Sequence, residues 1–142
     1  MSITELIKTA KLATERSYAP YSGFCVGAAL LCADGKIFSG CNIENSAFSP
    51  TVCAERVAFF KAISEGYNNP DDFVAIAVVA KKDGNYRDFF PPCGVCRQVM
   101  LEFCDYTSFE IIIANESNHK SYKLSELIPQ AFSPDRVARD KK

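Results

Sequence analysis

Two short cysteine segments constrain this chain more than anything else in it: Cys53-Ala54-Glu55, and Pro92-Cys93-Gly94-Val95-Cys96-Arg97-Gln98. In the second, the thiols stand three residues apart, a spacing that stacks both sulfurs on one face of a helix. Pro92 favours the start of that helix, and the free N–H groups of a first turn favour thiolate over thiol. Taken alone, C-x-x-C fits a redox pair or half of a structural zinc site. A structural site takes four ligands, usually from two such pairs, and there is no second pair here. His119, the only histidine, falls in a polar loop with no ligand spacing around it, so its plain reading is a solvated residue. Three protein ligands with one position left open is the pattern of a catalytic zinc. Cys53 is the candidate for the third.

Cys53 and Glu55 are two apart and diverge inside a helix. At a helix entrance the first residue need not be helical, and both can then approach one metal, a geometry that rests as much on the family resemblance given below as on spacing. Glu55 in a first turn has an ordinary use, stabilising the helix dipole. Beside a zinc-activated water it becomes a proton shuttle. Three thiolates on Zn²⁺ sum to −1, so the metal is a weaker Lewis acid than one held by neutral imidazoles. Compensation is available from two helix N-termini and from Arg56. Its guanidinium either donates to the sulfurs or makes a surface salt bridge. Arg97 and Gln98 are read as packing or supporting residues.

Size and charge narrow the alternatives. The 142 residues fit one domain, 1–142, with a polar C-terminal tail from about residue 133. A net charge of −1 sets up no field for a polyanion, so nucleic acid is not expected as a partner. No apolar run approaches the ~20 residues that span a bilayer, so no membrane partner is expected either. The N-terminus lacks the basic-then-apolar order of a secretory signal. Seven cysteines is an odd count, which argues against a closed disulfide framework. Both observations point to a cytoplasmic protein with reduced thiols.

Along the chain, Ser2 and Glu5 form a capping box ahead of Ile3, Leu6, Ile7, Ala10 and Ala13 at helical spacing. That helix ends before Ala19-Pro20. Phe24 to Cys32 is apolar on both alternating faces, a strand buried on two sides. Asp34-Gly35 turns it into a more polar outer strand, Lys36 to Asn42. Thr51 to Glu65 reads as a helix terminated by Gly66. Phe73 to Ala80 is a central strand, Cys93 to Cys104 a third helix, and Phe109 to Ala114 another central strand. Lys81 to Pro92 is a long connection with a turn at Asp83-Gly84-Asn85. Ser125 caps a short helix through Leu127. The fold class is α/β: an opening hairpin followed by alternation builds one mixed sheet with helices on both faces.

These residues carry a resemblance. C-A-E-R and P-C-G-V-C-R-Q, with Ser17-Tyr18-Ala19-Pro20-Tyr21-Ser22-Gly23-Phe24, Gly40-Cys41-Asn42-Ile43-Glu44-Asn45 and Glu126-Leu127-Ile128-Pro129, make the chain similar to small, homotetrameric, three-cysteine cytidine deaminases over nearly its whole length. The resemblance implies a three-layer α/β/α sandwich with a central mixed five-stranded sheet. It implies one zinc per subunit on Cys53, Cys93 and Cys96, with Glu55 catalytic and Arg56 supporting the sulfurs. The reaction implied is hydrolytic deamination of cytidine and 2′-deoxycytidine in pyrimidine salvage. By the same resemblance Asn42 and Glu44 would bind the ribose hydroxyls, Phe24 would pack on the pyrimidine, the Ala54 N–H would contact the base, and Phe132 would close a neighbouring subunit's site. On local grounds alone Asn42-x-Glu44 is turn chemistry and Phe24 a core phenylalanine.

The pattern departs at Phe48, where related enzymes commonly carry tyrosine; a hydroxyl is lost there. The Lys81–Pro92 connection has no strong counterpart. Three rivals remain: a nucleotide or nucleic-acid deaminase, a deaminase of a cytosine-containing antibiotic, and a non-catalytic zinc-stabilised interaction domain. The first needs a basic phosphate site where this chain has Glu44. The second is not expected to carry Asn-x-Glu. The third leaves Glu55 at an open metal position without a use.

Overall fold

Helix α1 (Ile3–Ala13) starts where the Ser2 hydroxyl accepts a hydrogen bond from the Glu5 N–H at 3.1 Å. The computed structural model, which describes residues 2–134, carries the chain from there through a 3₁₀ turn (Thr14–Arg16) into strand β1 (Cys25–Cys32). Strand β2 (Ile37–Cys41), helix α2 (Ala54–Ser64), strand β3 (Phe73–Lys81) and helix α3 (Gly94–Phe103) follow. Strands β4 (Glu110–Ala114) and β5 (His119–Lys123) and the short helix α4 (Leu124–Leu127) complete the order.

The five strands form one sheet in the order β2-β1-β3-β4-β5. β1 runs antiparallel to both neighbours, β3 and β4 are parallel, and β5 is antiparallel to β4. α3 lies in the crossover between the parallel pair, as such a pair requires. Successive strand residues point to opposite faces, and the core divides accordingly. Ala29, Ala77, Val79 and Ile112 pack with Leu6 and Ala10 of α1. Ala28, Leu30, Ile76, Val78, Ile111 and Ile113 pack with Ala58 and Phe59 of α2 and Met100 and Leu101 of α3. The result is the expected three-layer sandwich with a mixed sheet. Each fully buried Leu, Ile or Phe in these layers contributes about 1.5–3 kcal/mol.

Two glycines bring the helices onto the sheet. A Cβ on Gly27 of β1 would meet the Ala10 carbonyl oxygen at 2.0 Å, so α1 rests directly on that strand. A Cβ on Gly40 of β2 would meet the Ala54 carbonyl oxygen at 2.3 Å and the Ala58 nitrogen at 2.7 Å. The first turn of α2, which carries Glu55, is thereby seated against β2. Gly66 ends α2 at φ +99°, a conformation that L side chains rarely adopt.

Several boundaries differ from those read in the sequence. α2 begins at Ala54 rather than Thr51 because Val52 is held in an antiparallel bridge with Ile43, each N–H donating to the other's carbonyl at 3.0 Å. α3 begins at Gly94, with Cys93 just outside it. His119 does not lie in a loop; it opens β5. That strand, His-Lys-Ser-Tyr-Lys, is an exposed polar edge without an apolar alternation to reveal it. Lys123, not Ser125, occupies the cap position of α4, and its N–H donates to Glu126 Oε1 at 2.8 Å. The polar tail expected from about residue 133 falls almost wholly outside the described residues. Among those residues, no helix is long and apolar enough to cross a membrane.

Candidate zinc centre

Cys53 and Cys93 occupy the same kind of place. Each is the residue ahead of a helix, in extended conformation (φ −77°, ψ 155° and φ −68°, ψ 169°). Each gives its carbonyl to the first backbone bond of the helix that follows, from Val57 N–H at 3.2 Å and Arg97 N–H at 2.9 Å. Cys96 is the third helical residue of α3 and buried. The Sγ atoms of Cys53 and Cys93 are 3.8 Å apart, those of Cys93 and Cys96 3.6 Å, and all three thiols lie within 4.8 Å of one another. Tetrahedral zinc with Zn–S bonds of ~2.3 Å separates its sulfurs by about 3.8 Å. The donor set therefore fits zinc in chemistry and in spacing, with three ligands among the described residues.

The extended backbone at Cys53 resolves the two-residue problem. Cys53 stands outside the helix while Glu55 is its second residue. Glu55 is 4% exposed, and burial pushes its carboxyl pKa up to about 7, with the negative charge on Cys53 adding to the rise. The Cys53 thiol moves the other way, down to about 5: hydrogen bonding from Cys96 is the main cause, followed by Arg56 and Cys93. Cys96, the partner that holds the proton in this arrangement, is raised. The cluster thus already favours a thiolate before any metal charge acts on it.

Among the described residues, Arg56 makes no surface salt bridge. Its Nη2 donates to Cys53 Sγ at 3.5 Å, and its buried Nε has no partner among the described residues. Arg97 braces the other cysteine segment: Nε donates to the Pro92 carbonyl at 2.8 Å and Nη1 to the Leu127 carbonyl at 2.6 Å.

The pocket residues named from the resemblance fall in two groups. Asn42, Glu44 and Phe24 are brought together. Asn42 is buried; its Oδ1 accepts from the Val26 N–H at 2.9 Å and its Nδ2 donates to the Phe24 carbonyl at 2.8 Å. Glu44 Oε1 accepts from the N–H groups of Tyr21 and Ser22 at 2.9 and 3.1 Å, and Oε2 from the Ser22 hydroxyl. The Ser22 hydroxyl in turn accepts from the Phe24 N–H at 3.0 Å. The carboxylate is held below its usual pKa by these bonds, the Ser22 hydroxyl foremost. Both residues therefore organise the Tyr21–Phe24 loop, a function the sequence did not announce, and Ser22 joins them as a residue that sequence reasoning missed. Ala54 opens α2, where the N–H has no acceptor within the helix. Phe132 is not brought into this group. The residue is 66% exposed, and its carbonyl accepts from Gln98 Nε2 at 2.9 Å.

Fold and cluster together define a class: an α/β sandwich with a three-thiolate zinc centre and a buried carboxyl group beside it. The family model for the "cytidine and deoxycytidylate deaminase zinc-binding region" matches residues 1–110, and the chain belongs to that family, with zinc as its cofactor. It is 48% identical over 139 residues to a cytidine deaminase of Sporosarcina psychrophila, covering 97% of this chain and 96% of that one. It is 47% identical over 131 residues to a cytidine deaminase of Halalkalibacterium halodurans, covering 92% and 93%. The crystal structure of cytidine deaminase from Burkholderia pseudomallei superposes with a TM-score of 0.83 at 44% identity, over 93% of this chain and all of that one.

Proposed function

We propose that this protein is a zinc-dependent hydrolase converting cytidine and 2′-deoxycytidine to uridine and 2′-deoxyuridine, a pyrimidine salvage reaction in the cytoplasm. The observation that supports it most is the buried Glu55 carboxyl group, placed beside three thiols that match zinc. Cys53, Cys93 and Cys96 would hold one zinc ion per subunit, which would supply Lewis-acid activation of water. Glu55 takes one proton from the attacking water and delivers it to N3 of the ring as oxygen bonds to C4. It then carries the second proton to the amino group. The C4–N4 bond breaks and ammonia leaves. A carboxyl pKa near neutrality suits a group that must both accept and give a proton.

Around that centre, Asn42 and Glu44 hold the sugar hydroxyls through the lone pairs and N–H left over from the loop bonds. Phe24 packs on the pyrimidine, and the Ala54 N–H meets the base. Arg56 donates to Cys53, offsetting the excess negative charge of three thiolates. Glu44 disfavours a substrate with phosphate on the sugar, so turnover of cytidine but not CMP tests the reading against a nucleotide deaminase. Equal use of both, or of CMP alone, would overturn it. Residues 1–142 act as one catalytic domain.

The subunit is expected to work as a homotetramer with shared sites. Phe48 is 98% exposed, Phe132 66% and Phe60 49%, a set of rings that a second copy covers. Phe132 then reaches into the neighbour's site, and Phe48 makes an apolar contact where relatives commonly present a tyrosine hydroxyl.

A further inference from the structure

The connection from β3 to α3, Lys81 to Pro92, has a structural task that its sequence does not reveal. It is pinned at its tip, where Lys82 and Asn85 each donate an N–H to the other's carbonyl at 3.0 Å. It is pinned again at Tyr86, whose hydroxyl lies 3.1 Å from Thr14 Oγ1 and whose carbonyl accepts from the Glu116 N–H at 2.8 Å. Beyond Tyr86 come two phenylalanines with different partners. Phe89 packs against the core cluster that contains Met100 and Ile113. Phe90 packs against Phe24, with ring centroids 5.2 Å apart and planes tilted by 59°. Lys82 Nζ stands over the same Phe24 ring, 4.4 Å from its centroid.

Phe24 is therefore held through its backbone and through its ring. Its N–H is bonded to the Ser22 hydroxyl and its carbonyl to Asn42 Nδ2. With the backbone fixed, the ring can move only through its own two torsions, and Phe90 and Lys82 limit those. Phe90 is also three residues before Cys93, a reach of at most about 11 Å along an extended chain. One short segment thus runs from the Phe24 contact to a thiol of the cysteine cluster.

We propose that Phe90 is a positioning residue: it holds the Phe24 ring in the orientation that receives a pyrimidine, making the Lys81–Pro92 connection an affinity-setting element of the site. This rests on the nucleoside reading given above. A contact made equally in ground state and transition state changes KM without changing kcat. Loss of the ring pair in Phe90→Ala should raise KM for cytidine, and the calorimetric Kd for the product uridine, by about three- to tenfold. It should leave kcat within about twofold of the unaltered protein and zinc content unaltered. Phe90→Tyr, which keeps the ring, should restore both constants. Unaltered KM and Kd in Phe90→Ala would overturn the assignment. So would a fall in zinc or kcat with KM unmoved, because the residue would then act through Cys93 instead. If the alanine variant does not fold, Phe90→Leu fills the space without a ring and decides the matter by the same two constants: raised values support the assignment and native values overturn it. An unaltered protein that neither deaminates cytidine nor binds uridine would refute the nucleoside reading itself, an outcome distinct from any difference between variants.

Discussion

At the scale of single residues, the proposed chemistry divides between groups that hold a metal and one group that moves protons. Glu55→Gln keeps the shape and burial of the side chain but cannot take a proton from water. It is expected to retain zinc, measured by atomic absorption, while turnover falls by at least about 10²–10⁴-fold. Near-native turnover would remove Glu55 from the reaction. Cys93→Ala leaves two thiols, and zinc content should drop well below one per chain after dialysis. Full retention would contradict its place in the ligand set. Arg56→Ala removes the donor to Cys53, so more thiolate charge falls on the metal and activation of water weakens. The pH–rate profile should then move toward higher pH; an unmoved profile would return Arg56 to a merely structural role. The three-cysteine cluster was legible because its spacing is itself the signal. The bonds of Asn42 and Glu44 to the Tyr21–Phe24 loop were not, because a loop's partners depend on where the fold brings it and leave no period in the sequence.

At the scale of elements, the site depends on two helix starts. Sequence reasoning placed α2 three residues early because Thr51 and Val52 carry no breaker; their bridge to Ile43 is a tertiary contact. That contact keeps Cys53 extended, and only an extended Cys53 lets its thiol and the Glu55 carboxyl serve one centre. Gly40 fixes the same turn from beneath. Gly40→Ala is expected to push α2 off β2, costing about 1–3 kcal/mol of stability and lowering the calorimetric Tm of the zinc-loaded protein by about 3–10 °C. Reduced activity should accompany it, because Glu55 rides on the displaced turn. A Tm and activity equal to the unaltered protein would show that the close approach is easily relieved. The central strands β1, β3 and β4 were readable from continuous apolar runs. β5 was not, since an exposed edge strand of His, Lys, Ser and Tyr gains its pairing from β4 rather than from its own pattern.

At the scale of the whole molecule, the sheet separates two cores. α1 closes one face, while α2 and α3 close the other and bring both cysteine segments together at their N-termini. The mixed sheet followed from the order of elements, and its strand number from the resemblance. Among the described residues, Phe48 and Phe132 lie exposed on the outer surface. Light scattering should give the molar mass of four chains, and a monomer in solution would contradict the shared-site proposal. The reaction itself is tested by following cytidine absorbance with protein of measured zinc content, before and after removal of the metal with a chelator and its return. The account predicts conversion to uridine by protein carrying one zinc per chain, loss of turnover on chelation, and recovery on zinc addition. Zinc-loaded protein that leaves cytidine untouched, or turnover indifferent to metal removal, would contradict it.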